Sequence, residues 1–225
     1  LAGTLGGPLQ GTLRERMVLR ADAVVKAPAH LSDAQCATLT CAAVTAWRAL
    51  VTEGGVGAGD TVLTLGTGGV SLFALQIATA LGARVVITSS RDERLARARE
   101  LGAAHGVNYV ADPRWGKTVA QWAGRGVDHV IELGGAGTLA QSLRAVRTGG
   151  QISLIGVLAG TSGEVPLTRV LMRHIRVQGI LVGSRADLAD LCAFLADHPD
   201  VEPVVDRVFG FEEAVEAFRH LEAQQ

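Results

Sequence analysis

From residue 61 onward, short apolar runs alternate with amphipathic stretches along the chain. The runs Thr61–Leu65, Arg84–Thr88, Gly106–Tyr109, Val127–Glu132, Gln151–Gly156 and Val177–Val182 predict strands. Between them, Gly69–Leu81, Asp92–Leu101, Trp115–Ala123, Thr138–Val146 and Leu167–His174 carry apolar residues at helical spacing. Strands of about five residues separated by helices of about ten give right-handed βαβ units and a mainly parallel sheet. VIEL and ISLIGV are nearly continuous in apolar residues, as strands covered on both faces are. The expectation is a doubly wound α/β domain over roughly residues 50–200.

The two ends of the chain follow a different rhythm. TLRERMVL and AVVKAPA within residues 11–29 predict two short strands, and Ser32-Asp33 marks a helix start, with helical pattern over Ala34–Leu39 and Cys41–Val51. EGGVGAGD from residue 53 is a Gly-rich hinge. PVVDRVF near residue 203 predicts a strand and Phe211–Leu221 a short helix. Residues 1–48 and 201–225 are expected to be the edges of a second domain flanking a nucleotide-binding unit over 49–200. The first residue is Leu1, in the polar, Gly-rich run LAGTLGGPLQG, and the sequence reads as part of something longer.

Composition narrows the function classes. The 225 residues are 48% hydrophobic, which excludes a disordered chain, and the formal net charge of −1 draws neither nucleic acid nor anionic lipid. Three cysteines give no disulfide framework, so a reducing, cytoplasmic setting is expected. Residues 61–83 are uncharged, but the cluster Gly66, Gly68 and Gly69 suits a buried strand, a turn and a buried helix better than a membrane span.

That same stretch carries the chemistry. TVLTLGTGGVS runs an apolar strand into Gly66-x-Gly68-x-x-Ser71 and then an apolar helix. The first glycine permits a tight turn and the second lets backbone N–H groups approach a pyrophosphate at the positive end of the helix. Ser71 takes the third, small position in place of Gly or Ala. An NAD site has an acidic residue ending the next strand, whereas here Thr88-Ser89-Ser90-Arg91 stands there, with Asp92 and Glu93 falling in the first helical turn. Two hydroxyls with Arg91 and Arg94 suit a 2′-phosphate, so NADPH is expected over NADH. The opposing reading is that Ser90 or Asp92 caps the helix and the arginines are solvated.

Other motifs fail. Gly116-Lys117-Thr118 lacks the upstream glycine of a P-loop, because Ala111 stands there, and none of the six histidines belongs to a His-Glu-x-x-His pair. Cys36 and Cys41, in Ala-rich surroundings, read as small core thiols, and Cys192 falls in another apolar helix.

Taken in order, these segments resemble the medium-chain dehydrogenase/reductase superfamily, the alcohol dehydrogenase and quinone oxidoreductase group. GTLRERMVLRADAVVKAPAHLSDAQCATL is similar to the end of its GroES-like catalytic domain, and TCAAVTAWRAL to its linking helix. GDTVLTLGTGGVSLFALQIATALGARVVITSS, GRGVDHVIELGGAGTLAQSLRAVRTGGQISLIGVLAG and IRVQGILVGSRADL resemble its cofactor domain, in the flavour of the zinc-independent branch. The resemblance implies hydride transfer between NADPH and a carbonyl or activated alkene of a small-molecule substrate. It implies that Thr45 lies against the nicotinamide and that Gly66, Thr67, Gly68, Gly69 and Val70 form the diphosphate turn. Ser89, Ser90, Arg94 and Tyr109 would take the 2′-phosphate, and Gly134 and Gly135 would border the adenosine or its ribose. Gly156 and Val157 would contact the nicotinamide, as would Gly183 and Ser184, although Ser184-x-x-Asp187 also reads as a helix cap. Val177–Val182 resembles the strand that pairs across a homodimer. Cys41 aligns with a catalytic-zinc ligand of zinc-binding members, but a packed thiol and no zinc is the expectation. Two rival readings are a non-catalytic NADPH-binding or dimerisation module, separated by redox turnover, and a methyltransferase, which Ser89-Ser90 opposes because its ribose grip needs an acid.

Overall fold

The computed structural model describes residues 4–223. The start of the LAGTLGGPLQG run and the last two residues of the 201–225 segment lie outside them.

Six parallel strands form one sheet: β1 (Thr61–Thr64), β2 (Arg84–Ser89), β3 (His105–Asn108), β4 (Val127–Glu132), β5 (Val146–Leu154) and β6 (Arg176–Gly179), in the order β3-β2-β1-β4-β5-β6. The connecting helices are α3 (Gly69–Ala80), α4 (Asp92–Glu100), α5 (Trp115–Trp122), α6 (Ala136–Ala145) and α7 (Leu167–Met172). This is the doubly wound order, reversing direction between β1 and β4. The uncharged stretch after residue 60 is indeed a wholly buried strand, a turn and a helix with seven buried residues. Among the described residues no helix is long and apolar enough to cross a membrane.

The sheet divides the core in two. Val62, Val85, Ile87 and Ile131 pack with α3, α4 and α8 (Arg185–Asp197), together with a helical segment before the sheet. Leu63, Val86, Val130 and Ile152 pack on α5 and α6 from the other side. Successive strand residues thus face opposite layers, which explains why these strands carry no polar alternation.

The segment before the sheet begins at α1 (Asp33–Ala37), where Ser32 and Gln35 form a reciprocal cap: the Gln35 N–H reaches Ser32 Oγ at 3.3 Å and the Ser32 N–H reaches Gln35 Oε1 at 2.9 Å. It continues as a wide π-type turn (Leu39–Ala43), α2 (Val44–Trp47) and a second π-type turn (Arg48–Thr52). Sequence periodicity suggests regular helix here; the wide turns bring Leu39, Ala43, Ala49 and Leu50 all inward.

The predicted strands at the ends do not form. Residues 12–29 and 203–209 contain no strand, only a single turn at Ala21–Ala23 in the first of them. Val18 is 99% exposed and Val208 68% exposed, so these apolar runs have no neighbouring strand among the described residues to satisfy their backbone. The predicted helix at residue 211 forms as one turn (Phe211–Glu213) and α9 (Ala214–Glu222). β6 ends at Gly179 rather than at residue 182, where Val182 has φ of 54°.

Candidate functional site

Parallel strands deliver their outgoing loops to one edge of the sheet, and the cofactor-site residues expected from the sequence lie in those loops, at the end of β2, or on α2, α3 and α4 beside them. After β1 comes the turn Gly66–Gly69. Gly66 has φ of 75°, which only glycine adopts without strain, and its N–H donates to Thr88 Oγ1 at 3.1 Å, tying the turn to β2. Gly68 is the N-cap of α3 and among the described residues no side chain caps this helix, so its first N–H groups face the crevice without a side-chain partner there. A methyl group on Gly66 or Gly68 would meet nothing within 4 Å. Ser71 is fully buried, and its hydroxyl donates to the Leu65 carbonyl at 2.6 Å, fastening helix to strand end. The serine is therefore a working substitute for the small third residue.

At the end of β2, Ser89 is buried and its Oγ accepts the Arg91 N–H at 3.3 Å, while Ser90 is exposed. Tyr109 follows β3, and its N–H donates to the Ser89 carbonyl at 3.0 Å, so the two sit side by side. Arg94 lies in the first turn of α4. Neither Ser90 nor Asp92 caps that helix: Arg91 holds the N-cap position, and Asp92 accepts from Asn108 Nδ2 at 2.9 Å.

Across the crevice, the loop after β5 clasps the turn after β4. Ala159 N–H donates to the Gly134 carbonyl at 2.7 Å and Ala136 N–H to the Gly160 carbonyl at 3.0 Å. Gly135 has φ of 77°, and a Cβ there would fall 2.6 Å from the Gly160 oxygen and 2.8 Å from Val157 Cα. Gly156 is equally confined, since a Cβ there would overlap the Leu133 carbonyl oxygen. Val157 is half exposed at the rim.

The segment before the sheet closes the arrangement. Ala42 packs against Gly69, and Val44 packs so tightly on Gly183 that a Cβ there would come within 2.5 Å of its methyl. Thr45 directly follows Val44, buried, with its hydroxyl donating to the Cys41 carbonyl at 2.6 Å. Ser184 caps α8 with Asp187, as its sequence pattern predicts. Asp187 also accepts from Thr52 Oγ1 at 2.7 Å and Arg48 at 3.2 Å, and Arg48 reaches Glu53 at 2.8 Å. Burial alone would raise the Asp187 carboxyl, but the Ser184 and Thr52 hydrogen bonds and the Arg48 charge hold it below the ordinary carboxylate range.

Sequence reasoning missed Glu132 as a site residue. The only acid in an otherwise apolar strand end is the available signal: its carboxylate is fully buried beneath the Gly134-Gly135 turn. The expectation of a packed Cys41 is corrected, because the Leu39–Ala43 turn points Cys41 outward and exposed. Among the described residues no three His, Cys, Asp or Glu side chains gather as a metal site. A catalytic zinc needs three protein ligands, and Cys41 offers one. The described residues alone do not frame a zinc centre.

This edge can bind an extended anionic ligand across the β1/β4 reversal, where ligands bind in open α/β sheets. Comparison with known proteins gives the same direction. Residues 69–197 match the family model for zinc-binding dehydrogenases. The chain is 44% identical over 223 residues to a zinc-type alcohol dehydrogenase-like protein of Schizosaccharomyces pombe, covering 96% of this chain and 64% of that relative. It resembles the crystal structure of an NAD-dependent alcohol dehydrogenase with a TM-score of 0.91 and 34% identity, over 99% of this chain and 65% of the other. It also resembles a 2-octenoyl-CoA carboxylase reductase, CinF, in complex with NADP and 2-octenoyl-CoA, with a TM-score of 0.83 and 27% identity, over 91% of this chain and 50% of the other. The chain thus spans no more than about two thirds of the length of these relatives. Fold, glycine turn and sequence match together place the chain in the zinc-binding dehydrogenase family, within the medium-chain dehydrogenase/reductase superfamily.

Proposed function

We propose that this chain is the cofactor-binding part of an oxidoreductase that moves a hydride between NADPH and a carbonyl or activated alkene of a small-molecule substrate. The observation that carries the reading is the open Gly66–Gly69 turn at the β1/β4 reversal, beside a β2 end that offers Ser89 and Ser90 where an NAD site has an acid. Relatives in the family include both an NAD-dependent dehydrogenase and an NADP-bound reductase, so the choice of cofactor rests on those side chains.

Bound NADPH supplies the hydride, and the protein supplies orientation. The N–H groups at the start of α3 hold the diphosphate. Ser89, Ser90, Arg94 and Tyr109 take the 2′-phosphate, and Gly134 and Gly135 border the adenosine or its ribose. Thr45, Gly156 and Val157, with Gly183 and Ser184 beyond them, seat the nicotinamide. Zinc has no part in this proposal. Residues 1–48 and 201–225 belong with a catalytic domain that flanks the 49–200 unit, and a cytoplasmic setting is proposed. Two copies associate through β6, the edge strand of the sheet, beside which Leu181 is 68% exposed.

Calorimetric titration of the chain with NADPH and NADH tests the reading. NADPH is expected to bind at least about tenfold more tightly, the equivalent of about 1.4 kcal/mol. Equal or NADH-favoured binding overturns the cofactor preference. A folded sample that binds neither overturns the reading itself.

A further inference from the structure

Two glycine turns face each other across the crevice, and their N–H groups are used in opposite ways. At the end of β1 the first N–H groups of α3 have no side-chain partner among the described residues. At the end of β4 the N–H groups of Gly134 and Gly135 are spent on Glu132 Oε1, at 2.8 and 3.1 Å. The Thr138 hydroxyl donates to the same oxygen, and the Ser142 hydroxyl to Oε2. Glu132 is fully buried, and among the described residues no cationic side chain is bonded to it. Burying a carboxylate without a cation is costly, and four donors are what offset it here.

The same residue fastens the neighbouring strand end. Its carbonyl accepts the N–H of Ile155 at 2.9 Å and of Gly156 at 3.2 Å. A ring seated against Gly156 and Val157 therefore lies within about 10 Å of the Glu132 carboxylate, two or three residue lengths away. The nicotinamide ring is cationic when oxidised and neutral when reduced. A negative charge held beneath the Gly134-Gly135 turn, about 10 Å from that ring and screened by protein rather than by water, favours the oxidised over the reduced form.

We propose that Glu132 is a positioning residue for the bound dinucleotide, fixing the 133–136 turn as the wall that takes no phosphate and favouring oxidised over reduced nicotinamide. The proposal rests on the reading above that the nicotinamide seats against Gly156 and Val157.

The test compares the affinities of the full 225-residue chain for NADP⁺ and NADPH in wild type, Glu132→Gln and Thr138→Val. In Glu132→Gln the amide oxygen can keep the three donors of Oε1, and the amide nitrogen can donate to Ser142, whose hydroxyl rotates to accept. The charge is lost and the hydrogen bonds stay. The expected result is a loss of affinity for NADP⁺ of about three- to tenfold relative to NADPH. Thr138→Val keeps the charge and removes one donor, so both forms should weaken together, about two- to fivefold, with their ratio unchanged. An unaltered ratio in a folded Glu132→Gln overturns the proposal. Should that variant fail to fold by circular dichroism, Thr138→Val decides: unchanged affinity for both forms overturns the proposal. Wild type that binds neither form would instead remove the dinucleotide reading on which the proposal stands.

Discussion

Gly68→Ala separates binding from folding at the glycine turn. Gly68 has φ of −81° and ψ of 176°, extended backbone open to any residue, and a Cβ there meets nothing within 4 Å. No clash or strain is added. Alanine is a poorer N-cap than glycine by about 0.5–1 kcal/mol. Against this, the unfolded chain loses freedom worth about 0.4–1 kcal/mol, which favours the folded variant. The two nearly cancel, so the melting temperature should move by less than about 4 °C. Binding should respond differently, because the new methyl projects into the space where a diphosphate approaches the N–H groups of α3. Displacing it costs at least about 1.4 kcal/mol, a tenfold rise in Kd. Calorimetric titration with NADPH beside scanning fluorimetry reads both quantities. Unchanged Kd with unchanged melting would show that the turn seats no diphosphate. A fall of more than about 10 °C would refute the geometric argument instead.

Three further outcomes are expected. Gly135→Ala, forced to adopt φ of 77° with its Cβ 2.6 Å from the Gly160 oxygen, should lose about 3–5 kcal/mol of stability in urea unfolding; a loss under about 1 kcal/mol would contradict the clasp between the two loops. Ser184→Ala removes the α8 cap and should cost about 1 kcal/mol, read as a fall of about 2–4 °C in melting temperature, whereas an unchanged melting temperature would deny the cap its role. Stability should fall as pH drops from 8 to 4. Burial pushes His129 below its ordinary value, so the unfolded chain takes up that proton first and stability is lost as pH falls through about 6.5. Burial alone would raise Asp128, but its bonds from Arg147 and the Thr61 N–H and the charges of Arg125 and Arg147 hold it below the ordinary carboxylate range. Its contribution, like that of Asp187, is present above about pH 4 and lost below it. Urea midpoints at pH 8, 6 and 4 check this, and a flat or rising profile contradicts it.

The parallel sheet was legible because each strand is a short apolar run and each helix a separate amphipathic one. The glycine turn was legible because its residues are adjacent in sequence and their geometry is local. The strands expected at 11–29 and 203–209 show the limit of that reasoning. Apolar composition is necessary for a strand, but hydrogen-bonded partners make it one, and none are present among the described residues. The π-type turns at Leu39–Ala43 and Arg48–Thr52 are likewise set by packing of the segment onto α3 and α8, which periodicity does not encode. Cys41 went from expected core to surface because one wide turn rotates the residue outward. Glu132 was hidden for a different reason. Its partners Gly134, Gly135, Thr138 and Ser142 lie within ten residues, but only the turn out of β4 and into α6 brings their donors onto one carboxylate.

The central claim is that a dinucleotide lies along the C-terminal edge of the sheet, from Ser89-Ser90 across the Gly66–Gly69 turn to Gly156. Amide resonances of the isotopically labelled chain, followed during titration with NADPH, test it most directly. The account predicts saturable shifts of Gly66, Gly68, Gly69, Ser90 and Gly156, with residues at the opposite edge, such as Arg84 at the start of β2 and Arg125 just before β4, unmoved. Shifts confined to that opposite edge, or none in a folded sample at saturating NADPH, would contradict it.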